Sequence, residues 1–378
     1  LDGALVDFNK AIELKPNFAH AYYNRSAVKK AKGDLDGAVA DCDKAVELNP
    51  DGAESYCYRG FLKEQKGDSN GALTDYNKAI ELKPDWAGAC YNRGFLKEQK
   101  GDSNGALTDY NKVIELKPDF YQTYYNRGIL KNGKGDLDGA ITDFTKAIEL
   151  KPDLIQAYYN RACVKFKKSD LDGAIADYTK AIEFKPIADA YTGRGSARLD
   201  KGDLSGALAD YNKAIELNPN FAWAYHLRGC LHYNSHEFTD ALVNFRKSCG
   251  LNSDIPNRYY FYLWLARARL GEKEVATKEL QACWDNRKTG NPDDWPSKIS
   301  SYLTGKLTEP DFLKAAENTD KKKDSERHCE AYFYAGSKRL IEGDKTIAIG
   351  HFEKCLVTDM KTFDEYQSAA AELNALKK

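Results

Sequence analysis

Proline stands at positions 16, 50, 84, 118, 152 and 186, each 34 residues after the last, with Pro219 arriving one residue early. A fixed period of this length is the signature of a helical-hairpin repeat, in which no unit buries its apolar face alone and neighbours must stack to form a core. The chain is therefore expected to be all-α, with a function carried by its surface.

The unit between successive prolines has a regular grammar. From Ala19 to Gly52 it reads as an A helix around 19–32, a Gly33-Asp34 turn, a B helix around 36–48, and Pro50 closing it. Glycine supplies the left-handed residue that ends helix A. The aspartates offer oxygens to the unpaired N–H groups opening helix B, and proline cannot continue a helix. Gly67-Asp68, Gly101-Asp102, Gly135-Asp136 and Gly202-Asp203 repeat the turn, with Ser169-Asp170 as the variant. Small residues such as Gly60, Gly94 and Gly128 in helix A and Ala72, Ala106 and Ala140 in helix B let the helices approach. Tyr76, Tyr110, Phe144, Tyr178 and Tyr211 fill the space between hairpins.

These residues resemble the tetratricopeptide repeat (TPR) family: an aromatic at Tyr22, a small residue soon after, then Gly33, Ala38, Cys42, Ala45 and Pro50, in seven successive units over residues 1–255. The resemblance implies a superhelical solenoid of helix-turn-helix repeats. The register has the chain start inside a B helix, with its partner helix upstream. One departure stands out: where the family usually has leucine in helix A, this chain has Arg25, Arg59, Arg93, Arg127, Arg161, Arg194 and Arg228. Sixteen residues after the first six lie aspartates 41, 75, 109, 143 and 177 and, for Arg194, Asp210. A ladder of bidentate Arg–Asp pairs joining helix A to helix B is expected, with Asn244 on the seventh rung.

Four segments follow from the pattern: the regular array 1–255, a degenerate hairpin 256–290, a connector 291–326 with short helices and a charged loop at Lys321–Lys323, and a last repeat with a capping helix at 327–378. Trp295-Pro296, Tyr302-Leu303, His328, Phe333-Tyr334, Gly343-Asp344, Phe352, Phe363 and Glu372-Leu373 make residues 260–376 resemble the C-terminal region of NlpI-type TPR lipoproteins. That resemblance implies a bacterial envelope adaptor that dimerises through this module and delivers hydrolases to a protease.

With Lys and Arg at 56 against Asp and Glu at 57, the net charge is −1, which argues against a nucleic-acid partner. No run reaches the roughly 18 apolar residues needed to cross a bilayer. The nine cysteines form no C-x-x-C pair; Cys42, Cys163 and Cys355 occupy helix-packing positions, so buried free thiols are expected, which leans toward a cytoplasmic compartment.

Helix A lines the inner, concave face of a TPR array. Its candidate partner-binding residues are Tyr23, Asn24, Phe61, Tyr91, Asn92, Phe95, Tyr125, Asn126, Tyr159 and Asn160. Asn amides grip an extended backbone, and Tyr offers wide contact at low entropy cost. A two-carboxylate clamp is not expected, because Tyr23, Tyr91 and Tyr125 stand where such a clamp has lysine. His226 and Cys230 share a helix face, but no third ligand is evident beside them, so a polar groove floor or packed histidines are expected, with no metal and no cofactor. No phosphate loop, H-E-x-x-H or nucleophile elbow is present, and near-identical units do not converge on one reacting atom. The sequence thus reads as a non-catalytic scaffold for a protein or peptide. The alternatives are a self-assembling repeat protein and the envelope adaptor.

Overall fold

The computed structural model describes residues 1–251, 258–285, 293–361 and 363–377. Among them the chain forms 22 helices and no strand. It divides into two compact units, residues 1–170 and 171–378.

The first unit opens with α1 (Asp2–Leu14), a B-type helix. Four A/B hairpins follow: α2 (Ala19–Ala31) with α3 (Leu35–Leu48), α4 (Ala53–Gln65) with α5 (Ser69–Leu82), α6 (Ala87–Gln99) with α7 (Ser103–Leu116), and α8 (Tyr121–Gly133) with α9 (Leu137–Leu150). The A helix α10 (Ile155–Lys167) ends the unit. The turn chemistry is the expected one. Gly33, Gly67, Gly101 and Gly135 take φ between +82° and +86°, and the side chains of Asp34, Asp68, Asp102 and Asp136 accept from the N–H of the glycine three residues on at 2.8–3.0 Å. Packing is serial. Small buried clusters such as Ala38, Cys42 and Leu62, or Ala140, Phe144 and Val164, each tie one B helix to the next A helix.

Size matching inside each hairpin sets how close the helices come. A Cβ on Gly60 would lie 2.9 Å from Tyr76, and one on Gly128 would lie 2.8 Å from Phe144. Tyr76 and Phe144 therefore lie over the glycine of their own hairpin as well as against the next one. The first hairpin solves the same problem with Ser26 against the smaller Cys42, Oγ to Sγ 3.0 Å.

The second unit continues the grammar with α11 (Leu171–Phe184), α12 (Ala188–Asp200), α13 (Leu204–Leu217), α14 (Ala222–Asn234) and α15 (Phe238–Leu251). It then changes character. The degenerate hairpin is α16 (Arg258–Arg269) and α17 (Lys273–Asp285), turned at Gly271 with φ +84°. The array boundary at 255/256 and the hairpin-to-connector boundary at 290/291 lie outside the described residues. Short helices α18 (Trp295–Leu303) and α19 (Glu309–Ala315) precede α20 (Lys321–Ile341), α21 (Lys345–Val357) and α22 (Asp364–Leu376). Here the expected charged loop is corrected: Lys321–Lys323 is the first turn of α20, because the Asp320 carboxylate accepts from the N–H of Lys322 and Lys323 and caps the helix.

One large cluster holds this half together, joining Phe245, Tyr262, Trp264, Phe312, Phe333, Phe352 and Leu373, all at most 4% exposed. Tyr302 stacks on Phe312 at 4.4 Å, and Glu309 gathers Arg339 at 2.7 Å and His351 at 3.2 Å, which ties α19 to α20 and α21. Helix α22 packs on α21 and α20 and also reaches back to α14. Ser368 donates to Asn234 at 2.7 Å, and the buried Glu372 accepts from Arg269 at 2.7 Å and meets His236 at 3.2 Å.

Candidate functional site

The arginines sit deeper in the architecture than pairwise rungs. Arg25, Arg59, Arg93, Arg127 and Arg194 donate from Nε to Asp41, Asp75, Asp109, Asp143 and Asp210 at 2.8–3.0 Å, with Nη2 on the second carboxylate oxygen. Arg228 uses Asn244 Oδ1 at 2.7 Å. Arg161 lies on α10 and Asp177 is buried on α11 of the second unit. The aspartates are at most 4% exposed, which only a full set of partners makes tolerable. A second cation completes the set: Lys29, Lys63, Lys97, Lys131 and Arg198, one turn after each arginine, reach the same carboxylates at 2.7–2.9 Å.

The remaining Nη1 then crosses to the preceding B helix. Arg25 reaches Asn9, Arg59 reaches Asp43, Arg93 reaches Asn77, Arg127 reaches Asn111 and Arg161 reaches Thr145, at 2.6–2.9 Å. In the second unit Arg194 reaches Thr179 at 3.1 Å and Arg228 reaches Asn212 at 2.6 Å. One guanidinium thus fixes three helices. Sequence reasoning found the aspartate but missed both the second cation and the backward contact, although all three recur with the period.

Helical geometry places the ladder away from the candidate tyrosines and phenylalanines, with each candidate asparagine, one residue before its arginine, in between. At about 100° per residue, Tyr91 and Phe95 each lie some 200° from Arg93, on the opposite side of α6. On that side of the first unit, Tyr23 meets Tyr58 edge-on at 5.5 Å, Tyr58 stacks with Phe61 at 6.1 Å, and Tyr91 stacks with Phe95 at 6.5 Å. Phe95 and Ile129 are 38% and 37% exposed; the other exposed large apolar residues of this unit, Leu1, Val6, Leu14 and Phe18, lie on or beside α1.

The asparagines are partly engaged. Asn126 Nδ2 donates to Tyr91 Oη and Asn160 Nδ2 to Tyr125 Oη, both at 3.0 Å and both reaching the preceding unit. Asn92 meets Cys57 Sγ at 3.9 Å instead, because the tyrosine position there is cysteine. Asn24 is exposed, while Tyr159 is half-buried on α10. The Tyr–Asn repeat therefore first joins unit to unit. An amide with two N–H groups and a carbonyl retains hydrogen-bonding capacity after one such bond.

A surface cleft of about 460 Å³ opens elsewhere, beside Cys90, Arg93, Asp109 and Glu115. Cys42 and Cys355 are buried and Cys163 is half-buried. Burial pushes the Cys42 thiol to about 11 and the Cys57 thiol to about 12, so neither is a nucleophile near neutrality. His226 and Cys230 do share a face of α14, with Nε2 3.4 Å from Sγ, and Asp364 of α22 joins them. No helix among the described residues is long and apolar enough to cross a membrane.

A family model described as TPR repeat matches residues 64–101, 130–169 and 195–235, and one described as tetratricopeptide repeat matches 19–51, 87–120 and 155–187. A search of curated proteins finds no match. Three similar solved structures illustrate the likeness. YrrB, a TPR protein with an unusual peptide-binding site, is 26% identical, with 47% of this chain and 92% of that one covered and a TM-score of 0.43. A tetratricopeptide repeat protein from Parabacteroides merdae is 23% identical, with 66% and 98% covered and a TM-score of 0.47. The C-terminal part of a TPR repeat-containing protein from Cytophaga hutchinsonii is 21% identical, with 58% and 91% covered, and its TM-score of 0.51 shows the shared fold.

Proposed function

Since the chain is built from tetratricopeptide repeats, a fold that generally serves as a protein-interaction scaffold, we propose that its first unit is a non-catalytic scaffold whose A-helix face binds an extended peptide. The observation carrying this reading is the aromatic strip Tyr58, Phe61, Tyr91 and Phe95, with Phe95 and Ile129 left exposed on the side of the helices that the Arg–Asp ladder does not use. Asn24, Asn92, Asn126 and Asn160, with Tyr23, Tyr125 and Tyr159, supply polar edges along the same strip. The ladder from Arg25–Asp41 to Arg127–Asp143 acts as the frame that holds successive strips of the first unit in register, which limits ordering cost on binding.

Selection from a displayed random-peptide library against the intact chain tests this, with Phe95→Ala, Ile129→Ala as the comparison. The expected outcome is a peptide family whose affinity drops about tenfold or more in the doubly substituted chain, with helicity unchanged. Equal binding by both chains would remove the strip from consideration. The envelope-adaptor reading of residues 260–376, with dimerisation through that module, and the self-assembly reading rest on sequence alone. Light scattering across concentration separates both from a monomeric scaffold.

A further inference from the structure

The A-helix face of α14 differs from every other in the array. Where Arg93 is preceded by Tyr91 and followed by Phe95, Arg228 is flanked by His226 and Cys230, and this face is met by α22 of the same unit. We propose that His226, Cys230 and Asp364 form a binding site for a zinc-class divalent metal ion that fastens α22 to α14.

Three observations carry the inference. The first is geometric. Tetrahedral zinc with bonds of about 2.0–2.1 Å to nitrogen and oxygen and about 2.3 Å to sulfur requires ligand edges of roughly 3.3 Å for N···O and 3.5 Å for N···S. His226 Nε2 lies 3.1 Å from Asp364 Oδ2 and 3.4 Å from Cys230 Sγ, and all three ligand atoms lie within 4.8 Å of one another. Both edges from His226 already stand at coordination spacing, and the Cys230–Asp364 edge closes to it with a small side-chain rotation.

The second observation is chemical. Imidazole, thiolate and carboxylate are the ligand types zinc takes, whereas a cysteine ligand disfavours magnesium and calcium. A neutral imidazole, a thiolate, a carboxylate and a dication sum to zero charge, so the filled set suits an enclosed place that an isolated anion would not. His226 is fully buried, Cys230 is 5% exposed and the Asp364 side chain 19%, so the fourth position opens on the Asp364 side, near the Asp200 carboxylate.

The third is pre-organisation. The His226 ring lies against Tyr259 at 4.2 Å and Trp223 at 5.3 Å, both near-parallel, with Tyr262 edge-on at 5.7 Å. These rings hold the imidazole with its Nε2 beside the other two donors. Asp364 lies 138 residues further along, so the ion would bridge two helices of the second unit that are distant in sequence.

The test uses the full chain, stripped with chelator, reloaded with zinc chloride and dialysed. Elemental analysis is expected to find about one zinc per chain. The cobalt-substituted protein is expected to show tetrahedral visible bands and a thiolate-to-cobalt band that Cys230→Ser abolishes. Competition with a chromophoric chelator is expected to show affinity falling about 100-fold or more in Cys230→Ser and in Asp364→Asn, since losing a mere supporting partner already costs 10–100-fold. Cys163→Ser is expected to change nothing. Circular dichroism confirms folding of each variant, and the wild-type cobalt spectrum stands without them. No retained metal, no thiolate band in the wild type, or metal lost only on Glu237→Gln of the His232, Glu237, Asp240 cluster would each overturn the proposal.

Discussion

Arg93 shows what a single residue does in this architecture. It holds Asp109 with two nitrogens and Asn77 with the third, while Lys97 covers the same carboxylate. Asp109 is 1% exposed, so its charge depends on those partners. Replacing Arg93 by leucine is expected to destabilise the chain by about 3 kcal/mol, because one buried partner is removed and the other kept. The pair Arg93→Leu, Asp109→Leu is expected to recover much of that loss. Calorimetric melting of the three chains checks it, and a higher melting temperature for Arg93→Leu alone would show that the ladder is not needed for the fold. The aspartate was legible in the sequence because its spacing repeats. Asn9, Asp43, Asn77, Asn111 and Thr145 were not recognised as partners, since their chemistry varies while only their position recurs.

For helices, the decisive quantity is the distance between the two members of a hairpin. Gly128→Ala is expected to cost about 1–3 kcal/mol, since its Cβ would meet Phe144 at 2.8 Å in a packed interface. Gly133→Ala, in the same helix with nothing within 4 Å of its Cβ, is expected to have the opposite sign, a gain of about 0.5–1 kcal/mol. Thermal melts of the two variants check both signs at once. Helix ends were readable from Gly-Asp turns and prolines because these act locally. Lys321–Lys323 was misread because charge composition outweighed the single capping residue Asp320. The docking of α22 on α14 was unreadable for another reason: Asp364 and His226 are far apart in sequence and belong to no shared period.

At the scale of the molecule the two units are held together differently. The first is a series of small clusters, each spanning neighbouring helices, whereas the second gathers α14 to α22 into one aromatic core. Stability in the first is a sum of nearest-neighbour terms, so its amides are expected to exchange in steps, with free energies that differ from hairpin to hairpin. The helices around Tyr262 and Phe333 are expected to open together. Native-state hydrogen exchange across denaturant checks this, and a single opening free energy for every hairpin of the first unit would contradict it. The backward reach of each arginine also bears on ancestry. Every joint is made from groups each unit already carries, so copying a unit creates two sound joints with no compensating change. The segments Arg59–Asp85 and Arg93–Asp119, which differ only at Ala79 and Val113, look like the product of such a copying event. An array jointed in this way can change its length by recombination within a reading frame and still fold, which makes copy number itself a heritable way to adjust how much surface it presents.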